Sequence, residues 1–318
     1  MENYIPDINR QIYAKSISNI LFDKYSKIGP LWVSHQHEWC NEIYTMFRDH
    51  DKFLIVIYLV KKTLDFYSRN FIKLTYDEFY SSDSIEIEKF NVIELAKNID
   101  IPKESTRRKV VELENKKVIK RLKKKLIVDR SAFKFVKPEK SIKRISRFLS
   151  LFSGMLVNEK ILKTSLTSVE LERVIKKNFS YVWKLYYEMQ IPMMVNYKKI
   201  FKDLETFHIY GTCVVAQHLF SKKLKKQQLK RNEFLSLLYE SRDIQGINAM
   251  SISDITGIPR ATVVRKLKNL IKLNYLIIDN KKHYRITSPF MKKLAPKQTI
   301  VLNHLANFAT KIYNLAIL

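Results

Sequence analysis

The chain has 318 residues, 46% of them hydrophobic, which is long enough for two or three cores and too apolar for a disordered chain. Fifty-eight Lys and Arg against 31 Asp and Glu leave a net charge of +27, far from the balance of an ordinary enzyme and suited to a polyanionic partner; AT-rich coding bias would raise Asp and Glu as well, so it explains only part of the excess. Five glycines and eight prolines favour helices over a turn-rich sheet fold, and two distant cysteines, Cys40 and Cys213, exclude a disulfide framework.

Taken in order, residues 7–48 read as helical, with Ile12, Ile17, Ile20, Leu21 and Tyr25 on one face. Gly29-Pro30 is expected to break that helix before a second one carrying Trp32, Trp39, Ile43 and Phe47. His35, His37 and Cys40 fall within it, but no second pair of ligands follows at finger-like spacing. A surface helix with a half-buried Trp is expected there, and no metal site. The longest apolar run, Phe53–Val60, lies in a helix over Phe53–Phe71 and is too short to span a bilayer. Ser81-Ser82-Asp83-Ser84 reads as a turn or linker. Lys140–Leu151 is basic on one side and apolar on the other. Thr167–Met189 reads as one helix stopped by Ile191-Pro192, followed by helices over Tyr197–Phe207 and Ile209–Phe220. Pro289 closes the next segment, and Thr299–Leu318 reads as a final amphipathic helix.

Two stretches carry a repeated pattern. In the second, Ser251–Ile255 reads as a short helix capped by Ser251, and Gly257 as a turn residue with positive φ. Pro259 starts a helix running to about Leu273. Val263, Leu267 and Leu270 form its buried stripe, leaving Ala261, Val264, Arg265 and Lys268 on the other side. Leu276–Ile278 and His283–Ile286 form a hairpin around Asn280-Lys281-Lys282. Leu95–Leu113 aligns with Ile252–Leu270 without a gap: Ile101-Pro102 falls on Ile258-Pro259, Ser105 on Thr262, and Arg108-Lys109 on Arg265-Lys266. Asp100 stands in the place of Gly257, so it must adopt a left-handed conformation, and Thr106 replaces the buried Val263. Val118–Leu122, Lys123-Lys124-Lys125 and Leu126–Asp129 follow as strand, basic turn and strand.

Short helix, tight turn, basic helix and basic hairpin together resemble a winged helix-turn-helix. The Leu-Ala and Ile-Pro positions are similar to those of transcription regulators of the MarR and IclR type. The resemblance covers about a quarter of the chain. It implies a mainly α fold with tandem winged helix-turn-helix domains and helical extensions, built by internal duplication. Pro30-Leu-Trp-Val33 and Pro192-Met-Met-Val195 extend the parallel upstream at an offset of 162, with Trp39 on Phe201. The expected division is 1–136 (helical extension and first motif, about 91–130), 137–232 (helical linker or second extension), 233–290 (second motif) and 291–318 (C-terminal helix).

The resemblance further implies binding to double-stranded DNA, with the second helix of each motif in the major groove and the hairpin on the backbone. Base-facing candidates are Lys103, Glu104, Ser105, Arg107 and Arg108 in the first copy, and Arg260, Ala261, Thr262, Val264, Arg265 and Lys268 in the second. Lys123, Lys124, Lys125, Lys281, Lys282, His283 and Arg285 are candidate backbone contacts. No phosphate-binding glycine loop, zinc-protease motif or nucleophile–base arrangement is present. No enzyme, cofactor, metal or membrane partner is expected. The expectation is a cytoplasmic, nucleoid-associated transcription regulator, monomeric or homodimeric. A plasmid- or phage-type replication initiator and a winged-helix interaction scaffold are the alternatives.

Overall fold

The computed structural model describes residues 11–81, 84–87, 91–122, 125–129, 137–220, 227–241 and 245–317. The protein is mainly α, with short strands, and its buried apolar side chains form one continuous cluster. No helix among the described residues is long and apolar enough to cross a membrane.

The first half begins with α1 (Ala14–Asp23), α2 (Tyr25–Phe47) and α3 (His50–Arg69), then α4 (Tyr76–Ser81) and strand β1 (Ser84–Ile87). Next come α5 (Val92–Ile99), α6 (Lys103–Asn115), β2 (Ile119–Leu122), β3 (Lys125–Asp129) and α7 (Glu139–Asn158). The second half repeats the order: α8 (Ser168–Lys177), α9 (Phe179–Phe201), α10 (Leu204–Phe220), α11 (Arg231–Glu240), α12 (Ala249–Thr256), α13 (Arg260–Lys272), β4 (Leu276–Ile278), β5 (Tyr284–Ile286) and α14 (Ser288–Ile317). Ala14 to Ser168 and Tyr25 to Phe179 are both steps of 154 residues, and Val92 to Ala249 and Lys103 to Arg260 are both steps of 157.

The upstream register is therefore 154, and not the 162 that matching Pro30 to Pro192 would give. The helix ends fix it. Arg48 (φ 52°) closes α2 and Lys202 (φ 72°) closes α9, both with positive φ. The next residue, Asp49 or Asp203, then accepts backbone N–H bonds from the first turn of the following helix.

Prolines mislead as boundaries here. Pro30 lies inside α2 and Pro192 inside α9, so both expected breaks are absent; Pro289, expected to close the second motif, stands in the first turn of α14, and Pro296 lies inside that helix. An internal proline costs about 3 kcal/mol. Each fully buried large apolar side chain contributes about 1.5–3 kcal/mol, and α2 alone buries Ile28, Trp32, Trp39, Ile43 and Phe47. Burial of a continuous face outweighs the lost hydrogen bond. Gly29 is there for space, since a Cβ would stand 2.5 Å from the ring of Tyr25. α2 is thus a central helix with Trp39 wholly buried, not a surface helix. Where one helix is expected over Thr167–Met189, Asn178 separates α8 from α9. Thr167 caps α8, and Glu170 returns a bond to the Thr167 N–H.

The halves interlock. α7, at the end of the first, packs on α8 at the start of the second, and α14 packs on α1. Ile12 and Asn314 exchange hydrogen bonds at 2.8 and 2.9 Å. In the middle, α3 crosses α9 as α10 crosses α2, and α2 meets α7 as α9 meets α14. The elements are thus related by an approximate two-fold operation within one chain.

The small strands follow the same rule. β3 lies between β1 and β2, with Val128 opposite both Ile85 and Ile119. In the second half β4 and β5 pair Leu276 with Ile286, and the place of β1 is taken by a single bridge from Ile247 to Tyr284. A strand over 84–87 is not expected from the Ser-rich sequence around it; Ile85 and Ile87 point into the core and hold it there.

Because α1 and α8 are each covered by the other half, neither half closes its own core. Expressed alone, residues 1–163 should lose cooperative urea unfolding as a monomer, and mixing with 164–318 should restore it. Circular dichroism with light scattering checks this; a monomeric first half with a sharp transition would refute the interlocked core.

Candidate nucleic-acid interface

α5 and α6 are joined by Asp100 in the left-handed region (φ 53°), and α12 and α13 by Gly257 (φ 67°). The Asp pays a steric cost of about 1–2 kcal/mol that glycine avoids. The cap of α12 is Asn248, whose side chain accepts from the Ser251 N–H; Ser251, the expected cap, lies inside the helix. α13 buries Val263, Leu267 and Leu270 as the spacing required, and α6 buries Thr106, Val110 and Leu113. The Thr106 hydroxyl is satisfied by the Ile101 carbonyl at 3.3 Å, which makes a threonine tolerable in that stripe.

The orientation of each basic helix is set by a lysine that points inward. Lys109 of α6 ion-pairs with Asp49, and Lys266 of α13 with Asp203, the two residues that cap α3 and α10. Burial raises the carboxyl of Asp49, but the Lys109 ammonium and the Lys52 N–H outweigh it and hold it below the usual range. Asp203 behaves alike: burial raises it, and Lys266 with the Thr206 N–H brings it down.

The two anchors lie close together. His50 opens α3 beside Asp49, and its ring is 5.2 Å from that of His208 in α10. Both Asp49 and Asp203 act on His50 electrostatically. Both basic helices therefore spring from one junction on the two-fold. Two further links cross it. Lys198 of α9 pairs with Asp51 of α3 at 2.9 Å, and Arg48 Nη1 donates to the Gly257 carbonyl at 3.1 Å, bridging the first half to the second half's turn.

On the outward side, Lys103, Glu104, Arg107, Arg108, Arg260, Ala261, Arg265 and Lys268 are exposed, and Ser105, Thr262 and Val264 are half-exposed. Arg108 stays 72% exposed while 3.9 Å from Glu112, so little ties it down. Lys281 and Lys282 project from the second hairpin. Two hairpin residues differ from expectation. Arg285 turns back to donate to the Ser241 carbonyl, and His283 is half-buried, its ring 3.7 Å from the Asp279 carboxylate and its backbone N–H bonded to it. Both are held by the protein and do not project as backbone contacts. Lys123, Lys124 and the side chain of Lys125 lie outside the described residues.

Sequence reasoning missed Asp49, Asp203, Lys109, Lys266 and Arg48. A signal existed: Phe47-Arg48-Asp49 and Phe201-Lys202-Asp203 are one pattern at the 154-residue step, and Lys109 aligns with Lys266.

Behind the junction lies a group of buried histidines. His37 Nε2 is 2.9 Å from the Thr212 hydroxyl, His208 Nε2 is 2.7 Å from Asn41 Oδ1, and His35 Nε2 is 3.3 Å from the Tyr186 hydroxyl. Burial lowers His35 to about 3 and His37 and His50 to about 4, and puts His208 well below its ordinary value. Among the described residues no group of three or more His, Cys, Asp or Glu side chains could hold a metal ion. Comparison with protein-family models, with curated proteins and with solved structures finds no match to this chain.

Two measurements test this site. A base held neutral by folding loses stability as pH falls, because the unfolded chain takes up the proton first. The loss starts near pH 6.5 and continues to about pH 4 for His37 and His50 and to about pH 3 for His35. At pH 5 it is on the order of 2 kcal/mol for each of His35, His37 and His50. Glu205, raised by burial, takes up its proton in the folded state and offsets part of it. Urea midpoints at pH 7 and pH 5 should show the drop; equal midpoints would contradict it. Asp203→Ala should cost about 2–3 kcal/mol, combining a lost cap with a lysine left without its partner, and a thermal shift no larger than that of Asp254→Ala would refute the anchor.

Proposed function

We propose that the chain is a sequence-specific double-stranded DNA-binding protein, a transcription regulator carrying two winged helix-turn-helix units. One observation carries this reading: α6 and α13 occupy equivalent places, are anchored by equivalent Lys–Asp pairs at one junction, and expose different basic faces. Order of elements supports the units themselves, since each half runs helix, strand or bridge, helix, turn, basic helix, hairpin. The charge of +27 supports a polyanionic partner.

In this reading Arg265 and Arg108, which align, read guanine edges with paired hydrogen bonds. Glu104 accepts from cytosine, and Ala261 and Val264 meet thymine methyls. Exposed Lys281 and Lys282 hold phosphates. A dimeric regulator places two identical recognition helices about 34 Å apart in successive major grooves. Here two different helices come from one chain, so the preferred site is asymmetric and one chain occupies one duplex.

The experiment is selection of bound sequences from a random duplex pool, followed by light scattering of the complex. Expected are a bipartite, non-palindromic site and one 37.9 kDa chain per duplex. Arg108→Ala and Arg265→Ala should each relax a different half of the site by about 1–3 kcal/mol. Replacing Lys281 and Lys282 with Ala should weaken binding to all sequences alike and flatten the slope of log K against log salt, by about 0.9 for each phosphate that is no longer neutralised. No binding at low salt would overturn the reading in favour of an interaction scaffold. Sites clustered at an origin, in genome-wide mapping, would turn the regulator into a replication initiator.

A further inference from the structure

The approximate two-fold supplies an internal control for core positions, and at one place the halves differ in whether the space is filled at all. A cavity of about 80 Å³ lies among α2, α9, α10 and α14, lined by aromatic rings including Trp32, Tyr197 and Tyr210. Gly211, His208 and His37 line it as well. The 154-residue step puts Ile57 in the place of Gly211, Leu54 in that of His208, and Ile191 in that of His37. Ile57 and Leu54 are completely buried. One half thus fills with branched apolar side chains the position that the other leaves hollow. The fold does not require the hollow.

Gly211 sharpens the point. It sits inside α10, where glycine is the poorest helix former after proline, and a Cβ there would meet nothing within 4 Å. Nothing in the packing asks for glycine. Gln36, also lining the cavity, is more than nine-tenths buried, and neither its amide nitrogen nor its amide oxygen has a hydrogen-bond partner; its counterpart Gln190 is buried with the same two atoms unpaired, so what sets Gln36 apart is that its amide lines a hollow. An unpaired buried amide destabilises a fold. A position that costs stability and serves no contact within the chain is a mark of a binding site.

The lining also defines the chemistry. It contains no Lys, Arg, Asp or Glu, so it offers no partner to a charged ligand. Its rings suit a flat molecule. The Gln36 amide presents one donor and one acceptor side by side, the complement of a cis-amide edge. Val33, Phe207 and Gln298 are half-exposed at the rim, so the space communicates with the surface.

We propose that this cavity is a binding site for a small, neutral, planar ligand bearing a lactam-type edge, seated between the aromatic rings with that edge on Gln36. The ligand enters edge first past Phe207, and a turn about the soft terminal torsion of Gln36 brings its amide onto it. The site stands independently of DNA binding, because none of its residues is among those assigned to the basic faces.

The test uses the full chain and 2-pyridone as probe, with N-methyl-2-pyridone as the comparison that lacks the N–H. Saturation-transfer NMR and calorimetry should detect 2-pyridone at roughly millimolar dissociation constant, as suits so few heavy atoms. N-methylation should weaken it at least tenfold. Gly211→Ile, which installs the residue of the other half, should abolish binding while leaving the thermal midpoint unchanged or higher. Gln36→Leu should likewise raise the midpoint and remove the preference for the N–H. Absence of 2-pyridone binding overturns the proposal, as does binding that survives Gly211→Ile. Equal binding of the two pyridones overturns the role of Gln36.

Discussion

Two lysines that face inward determine what the rest of the molecule can present outward. α6 and α13 each bury a stripe of only three side chains, too narrow to fix rotation about the helix axis. Lys109 and Lys266 remove that freedom by ending on carboxylates that are themselves held by backbone N–H groups. A lysine drawn largely out of water in this way is stabilising only while its partner stays in place. The same carboxylates cap α3 and α10, so the direction of the central helices and of the basic helices is set at one point. Lys198 and Arg48 tie that point across the two-fold.

Much of the two helix-turn-helix-hairpin segments was legible in the sequence, because their signals are local. Left-handed turns at Asp100 and Gly257, buried Val263, Leu267 and Leu270, and the hairpin at 276–286 follow from residue type and spacing. The helical body was less legible. Pro30 and Pro192 read as stops because local propensity opposes them, and only tertiary burial reveals that it wins. Arg285 and His283 show the same limit at the surface. Both are basic and on a hairpin, yet the Ser241 carbonyl and the Asp279 carboxylate, respectively, hold them back. The pairs Lys109–Asp49 and Lys266–Asp203 span about sixty residues, and no local pattern joins their ends.

The halves share a frame through their repeated order of elements, and they differ in what they place on it. Framework positions keep their chemistry: Phe47 and Phe201 end the long helices, Asp49 and Asp203 begin the next, and Gln36 and Gln190 sit at the same depth in α2 and α9. Surface and interior have separated elsewhere. Glu104 faces out where Ala261 does in the other half, and Ile57 fills what Gly211 leaves open. A homodimer must change both copies of a residue at once. This chain can alter one face of its two-fold and leave the other alone.

The interlocked ends also bear on how the protein is made. The Ile12 backbone bonds to Asn314 across 302 residues, and α1, which also touches α2, gets most of its cover from α14. At about 5–20 residues per second, synthesis separates the two by roughly 15–60 s. For that interval the part of α1's apolar face that α14 covers, with Ile17 and Leu21, waits for its partner. The nascent chain therefore carries its first basic helix before the helix that closes its body exists.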